Sequence, residues 1–137
     1  MKYVKVERDG SVSWDDYFDY IEKIKAKLPV DVYEFASRWE HYSISDRSSL
    51  HDSWLKKIEV FGGSPASEDA GINLCLVFLG PYHDRIFKMI YKNVSGYEVA
   101  YSESERRADL YIHEVSLSGE GAVQHEILFD GGGFIKI

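Results

Sequence analysis

Four of the five histidines in this sequence are followed directly by an acidic residue. The pairs are His51-Asp52, His83-Asp84, His113-Glu114 and His125-Glu126. Imidazole and carboxylate together suit a zinc, iron or manganese ion, and a carboxylate behind a histidine can orient it as a ligand. The four pairs therefore raise the hypothesis of a dispersed metal or proton-transfer site. The simpler interpretation is that such pairs arise by coincidence in an acidic, strand-rich chain.

The two histidine-glutamate pairs fall inside predicted strands that a Gly-Glu-Gly turn joins. Side chains alternate between the two faces of a strand, so the histidine and the glutamate of each pair must point apart. With this turn, Val115 faces His125 and His113 faces Ile127, and the two apolar faces match. The two histidines are then diagonal neighbours about 7 Å apart. We expect both of them to be structural, in or beside the core.

The two histidine-aspartate pairs lie in loops at the starts of predicted strands, where the pleat does not yet fix side-chain directions. In a simple meander these starts share one end of the sheet, which gives a candidate polar binding rim. Its residues are His51, Asp52, Tyr82, His83, Asp84, Arg85 and Asp109. The candidate metal ligands are His51, His83 and His113. The structural alternative is that Asp52 and Asp84 bond nearby backbone amides as turn residues.

No strong catalytic or metal motif accompanies these pairs. The sequence has neither a helical HExxH pattern nor a CxxC pair. Hydrolases of the HD-domain kind carry their metal ligands on helices, whereas these pairs fall at strand starts. Ser48 and Ser49 precede His51-Asp52 without a nucleophile elbow, so they indicate no triad. We therefore predict no cofactor and favour a non-enzymatic role, with a metal-dependent enzyme or metal-binding domain using His51, His83 and nearby acids as the alternative.

The elements that position these residues begin with a helical part. An opening strand at residues 2–7 precedes a turn at Asp9-Gly10. Apolar residues then recur at helical spacing from Trp14 to Leu28, and Pro29 ends this helix. A second helix is predicted from Asp31 to near His41. The predicted capping pairs are Ser13 with Asp16, and Asp31 with Glu34.

From residue 53 the apolar period changes to that of strands. The breakers between strands are short, which favours antiparallel neighbours. The run INLCLVFL is apolar on both faces and is predicted to be central. Residues 1–137 therefore indicate a single α+β domain, with two N-terminal helices packed on a mostly antiparallel meander sheet of about six strands. The predicted strands are 53–61, 71–79, 85–93, 97–102, 109–118 and 122–129, with a short last one at 134–137.

Composition narrows the possible partners. The formal net charge of -7 argues against nucleic acid and anionic lipid, which need a basic face, and is compatible with a basic protein. The longest apolar run is far too short to span a bilayer, and no signal peptide precedes the first strand. The single cysteine, Cys75, lies in an apolar run and is expected to be buried and inert. We expect a cytoplasmic protein, and its oligomeric state is left open.

Several short motifs occur in order between residues 45 and 137. They are SLHDSWLKKIEV, HDR and DLYIHEVSLSGEGAVQHEILFDGG. In this order they resemble small, mostly uncharacterised bacterial proteins, some of which look like immunity proteins of polymorphic toxin systems. The resemblance implies a toxin-neutralising binding role and no assigned reaction. Together with the net charge, it favours a protein-binding domain that neutralises or regulates a basic partner, on a surface where Tyr33, Tyr42, Tyr82 and Tyr97 are expected to be exposed. A small-ligand binder with a pocket between helices and sheet is a third possibility.

Overall fold

The computed structural model describes residues 1–62, 71–100 and 109–137. These residues form an α+β fold with mostly antiparallel strands, as the sequence predicts. The elements are β1 (Lys5–Val6), β2 (Val12–Ser13), α1 (Asp15–Ile24), α2 (Val30–Ala36), β3 (Trp54–Gly62), β4 (Ile72–Leu79), β5 (Ile86–Tyr91), β6 (Glu98–Ala100), β7 (Leu110–Leu117), β8 (Val123–Phe129) and β9 (Phe134–Lys136). No helix in this part of the chain is long and apolar enough to cross a membrane.

The described strands form three antiparallel sheets, so the prediction of one six-stranded meander was wrong. β1 and β2 make a small hairpin, β3-β4-β5 make a second sheet, and β6-β9-β8-β7 make a third. The chain departs from a meander at β6, which pairs with β9 instead of β5. Short connections predict antiparallel pairing, but they do not say where the chain leaves one sheet to begin another. Residues 101 and 102 of the predicted sixth strand lie outside the described residues.

The two larger sheets bury a shared apolar core. β4 lies between β3 and β5, which confirms that INLCLVFL is a central strand. Its residues Leu74, Leu76 and Phe78 are fully buried. They belong to one cluster with side chains of the other sheet, including Ile127 and Ile135. Each of the two sheets supplies one apolar face, and the two faces pack against each other. This packing removes both faces from water, whereas a single open sheet would leave its apolar face exposed.

The helices cover the free edge of β7. Tyr17 on α1 is fully buried, and its hydroxyl accepts a hydrogen bond of 3.3 Å from the Val115 amide. The Tyr20 hydroxyl accepts one of 2.9 Å from the Leu117 amide. These two phenols satisfy backbone donors that an edge strand would otherwise leave unpaired. The edge of the third sheet is thereby closed by side chains of a helix, and the N-terminal helices become part of its core.

The predicted capping pairs do not form. Helix α1 begins after Trp14 and α2 after Pro29, and neither start carries a side-chain cap hydrogen bond. Ser13 belongs to the hairpin strand β2 instead. Asp16 forms an ion pair with Lys5 on β1. Pro29 both ends the first helical segment and opens the second, because its fixed φ of -53° suits a helix start. The second helix ends at Ala36, earlier than the predicted end near His41, and a separate 3-10 turn follows at Trp39–His41.

Candidate functional site

The histidine-aspartate pairs meet at a corner where the two larger sheets join. Trp54 forms an antiparallel bridge with Asp109 and pairs with Leu79, which in turn pairs with Ile86. The starts of β3, β5 and β7 therefore lie in one row. The backbone amide of Asp130 donates to the Asp109 carbonyl at 2.9 Å, so the end of β8 arrives there as well. In a simple meander β7 would run in the same direction as β3, and this expectation is wrong, because the two run in opposite directions at this bridge.

The histidines of this corner do not converge. His51 Nδ1 lies 3.1 Å from the Asp52 carboxylate, and the ring meets Tyr111 edge-on at 6.0 Å. His83 packs against Trp54, with ring centroids 4.3 Å apart. The third candidate metal ligand, His113, lies in the core. Within the described residues, no group of three or more His, Cys, Asp or Glu side chains is placed to hold a metal ion.

The carboxylate of Asp84, in the second histidine-aspartate pair, already forms ion pairs with arginines. Asp84 lies 2.6 Å from the Arg47 guanidinium and 3.1 Å from that of Arg85. Hydrogen bonding and charge from Arg85, together with Arg47, lower the pKa of the Asp84 carboxyl. Arg47 also lies over the ring of Tyr82, whose hydroxyl donates to the Ser45 carbonyl at 3.3 Å. The predicted rim is therefore a surface ion-pair network and presents no free acidic group at Asp84.

Each histidine-aspartate pair contains one residue in the left-handed backbone region. Asp52 has φ 61° and His83 has φ 56°. Aspartate and histidine are among the residues that tolerate this region in tight turns. Neighbouring side chains make the hydrogen bonds to backbone amides that were predicted for Asp52. The Asp46 carboxylate accepts a hydrogen bond of 2.7 Å from the Ser48 amide. The Ser49 hydroxyl accepts one of 3.1 Å from the His51 amide. These pairs turn the chain into β3 and β5.

Two substitutions of Asp52 separate its backbone role from its carboxylate. Asp52→Ala is expected to lower the free energy of unfolding by about 1 kcal/mol, because alanine is strained at positive φ. Asp52→Gly removes the same carboxylate without that strain and is expected to change stability by less than about 0.5 kcal/mol. Urea unfolding of both variants measures the difference. Equal losses would show that the carboxylate, and not the backbone conformation, matters here.

A second group of ionisable side chains lies inside the protein. His113 and His125 are 1% and 4% exposed, and His113 Nδ1 lies 3.1 Å from His125 Nε2. His125 Nδ1 lies 2.7 Å from the Tyr91 hydroxyl. The predicted register, Val115 opposite His125 and His113 opposite Ile127, is confirmed. The two imidazoles and the phenol thus form one continuous hydrogen-bonded chain between the sheets.

Aromatic rings enclose this chain. Tyr42 stacks on His113 at 4.5 Å, and Phe35 lies 5.7 Å from each imidazole. The prediction that Tyr42 is exposed was wrong: it is 3% exposed, and its hydroxyl donates to the Ala36 carbonyl at 3.0 Å. Burial lowers the pKa of both histidines, that of His125 to about 3. Both rings are therefore neutral at physiological pH.

The glutamates of these pairs point to the opposite face, as the alternation predicts. The Glu114 carboxylate is buried and accepts hydrogen bonds from the backbone amides of Lys2, Tyr3 and Val4, the shortest of 2.7 Å. Its cross-strand partner Glu126 lies 2.9 Å from the Met1 amino group and 3.0 Å from Lys136. The two carboxylates tie the first residues of the chain to the third sheet. Among the described contacts, neither carboxylate is hydrogen-bonded to the histidine beside it in sequence.

A cleft of about 680 Å³ opens onto the buried chain. It lies between α2, the end of β5 with the turn that follows, and β8. Its walls are largely apolar, and the two polar rings that reach it from below are Tyr91 and His125. The sequence places Tyr91 on the inner face of β5 beside Met89, but nothing in it brings this tyrosine to a histidine on β8. The apolar wall residues include Pro29, Val32, Phe35, Met89, Val94, Val123 and Ile137.

Comparison with known proteins adds no relative from which a role could be transferred. No family model, no curated protein and no solved structure matches this chain. The motif resemblance to immunity proteins therefore stays a prediction. The role of the chain has to be inferred from its own surfaces and buried groups.

Proposed function

We propose that this protein is a non-enzymatic binding domain that neutralises or regulates a basic partner protein through the exposed side of its helices. The observation that carries the proposal is Trp39, which is 54% exposed. Tryptophan supplies a large contact area and is enriched among the residues that dominate binding energy at protein interfaces. A ring left this open to water is stabilised further when a partner covers it.

The tryptophan rests on a rigid base. Its ring centroid lies 5.9 Å from that of Phe18, which meets Tyr42 edge-on at 5.3 Å. Tyr42 in turn shares a hydrogen bond of 2.9 Å with the buried Tyr17 hydroxyl. Because this stack is anchored in the core, little conformational freedom would be lost on binding.

Acidic side chains surround this aromatic pair. Asp15 and Glu22 lie three residues before and four residues after Phe18, on the same face of α1. Glu40 follows Trp39 directly. We call these five residues the acidic aromatic patch. Residues 14–42 carry seven exposed acids against four basic residues, so the field of the helical side favours a basic partner and speeds its approach.

The corner predicted from sequence is the weaker candidate for this contact. Its carboxylate Asp84 is held by two arginines, so this group is not free to pair with a basic protein. The alternative of a metal-dependent enzyme has less support still, since His51 and His83 contact different aromatic rings. A cytoplasmic location suits the proposal, because the buried thiol of Cys75 is unpaired.

Patch variants test the proposal against proteins encoded beside this gene and basic proteins from the source organism. Trp39→Ala is expected to weaken binding of the partner at least tenfold, the loss of an interface anchor. The pair Asp15→Lys and Glu22→Lys is expected to slow association and remove its salt dependence. Surface plasmon resonance measures both rates.

The matched control is the pair Glu120→Lys and Asp130→Lys, which makes the same change in net charge at two exposed turns on other parts of the surface. It should keep the affinity within about threefold, since the charge of the whole molecule has a smaller effect than charges at the contact. Failure to recover any stoichiometric partner would count against the proposal. So would a partner that binds the patch variants as well as it binds the unaltered protein.

A further inference from the structure

The cleft beside α2 has the size and lining of a small-molecule site. Its volume of about 680 Å³ falls in the range that holds drug-sized ligands. Apolar side chains such as Val32, Phe35 and Met89 line it, while Asp31 lies among its outer residues. Such a cavity favours an apolar body, and its few polar groups then decide the orientation of that body. The polar groups at depth are the Tyr91 hydroxyl and His125.

The direction of the protons along the buried chain decides what the floor of the cleft offers. Either Tyr91 donates to His125 Nδ1 and His125 Nε2 donates to His113 Nδ1, or both bonds run the other way. In the first arrangement the remaining proton of His113 sits on Nε2. In the second, Nε2 is a bare acceptor and Tyr91 turns its own proton outward.

The length of the bond between Tyr91 and His125 favours the first arrangement. The hydroxyl oxygen and Nδ1 are 2.7 Å apart. That separation is usual for an O–H donor, whereas bonds with an N–H donor are typically about 2.9–3.0 Å long. The Tyr91 hydroxyl then donates its proton to His125, and its oxygen can still accept a hydrogen bond from a molecule in the cleft.

We propose that this cleft binds a small, uncharged ring compound that donates one hydrogen bond to the Tyr91 hydroxyl oxygen. The site is independent of the acidic aromatic patch and of any protein partner. Uncharged compounds are favoured because the two imidazoles beneath the cleft are neutral, and a buried ion would lose its hydration without gaining a counter-charge. Phenols and indoles have the required chemistry: a planar apolar body with a single O–H or N–H donor.

A pair of probes that differ only in the donor tests the site. 2-Naphthol carries an O–H group, and 2-methoxynaphthalene has the same ring system with that proton replaced by methyl. Titration followed by naphthalene fluorescence is expected to show 2-naphthol binding about tenfold more tightly, the value of one hydrogen bond in a buried site. The Tyr91→Phe variant keeps the ring but removes the acceptor. It is expected to bind both probes equally, at the level of the methoxy compound.

Two further variants fix the location. Tyr111→Phe removes a phenol that donates to the Gly10 carbonyl and does not line the cleft, and it should keep the tenfold preference. Val123→Trp fills the cleft from a wall position outside the hydrogen-bonded chain, and it should weaken both probes. The proposal is overturned if neither probe binds the unaltered protein, if both bind equally, or if Tyr91→Phe retains the preference. Should Tyr91→Phe fail to fold, unchanged binding by Val123→Trp would overturn it.

Discussion

Replacing Glu114 by alanine is expected to lower the free energy of unfolding by about 4 kcal/mol, because three backbone donors lose their acceptor at once. The carboxylate is 1% exposed and accepts from the amides of Lys2, Tyr3 and Val4. A buried donor without a partner costs about 1–3 kcal/mol, and bonds to a charged acceptor are stronger than neutral ones. Urea unfolding of the variant measures the loss.

Two comparisons show whether the acceptor geometry is responsible. Glu114→Gln keeps one oxygen but turns an NH₂ group towards the same amides, so we expect an intermediate loss of about 2 kcal/mol. Glu126→Gln changes the cross-strand neighbour, whose side chain is partly exposed, and we expect less than about 1 kcal/mol. A Glu114→Ala variant as stable as Glu126→Gln would show that the first residues of the chain are not held by this carboxylate.

The local structure of this chain follows closely from its sequence. Every predicted strand from residue 53 onwards has a counterpart whose described bounds agree within about two residues. The pairing of β7 with β8 is also confirmed to the residue, including His113 opposite Ile127. Both successes rest on alternation with a period of two and on a glycine turn. A one-residue slip would turn His125 and Ile127 to the wrong face, so the pattern determines the register.

The parts that were not predicted depend on contacts between distant segments. No local pattern says that β6 pairs with β9, because this choice depends on which faces the assembled sheets must bury. Serine is a common helix N-cap residue, but Ser13 pairs with Lys5 in the hairpin of β1 and β2. Tyr42 was expected at the surface, yet it stacks on His113, which lies 71 residues later. Tertiary packing overrides local preference at each of these positions.

The histidine pairs show the same dependence on contacts between distant segments. The pairs at strand starts had freedom to converge, and they are turn residues held by aromatic and arginine contacts. The pairs inside strands were expected to be structural, and their histidines are buried, while His125 also lines the cleft. Alternation separated each histidine from its own glutamate, as predicted, but it also aimed His113 and His125 at one another. Strand geometry thus prevents a local dyad and creates a buried one.

Acid is expected to destabilise this protein through that buried pair. His113 and His125 have folded-state pKa values below the ordinary 6.5, because burial penalises the charged ring. The unfolded chain therefore binds more protons than the folded one between about pH 6.5 and the lower folded-state pKa values, which for His125 means about 3. Stability is fully present above about pH 6.5 and falls as the pH decreases. Each histidine contributes about 2 kcal/mol of loss by about pH 5, or about 4 kcal/mol together, a large part of the stability of a typical domain.

A variant of the buried pair, compared with the unaltered protein at two pH values, tests this pH dependence. Urea unfolding at about pH 7.5 and about pH 5 gives the difference in unfolding free energy for each variant. His125→Gln should remove about half of that difference, even if the variant is less stable at both values, because the difference counts protons and not contacts. Equal stability of the unaltered protein at the two pH values would show that the buried imidazoles accept protons without unfolding, and would contradict a dry histidine chain.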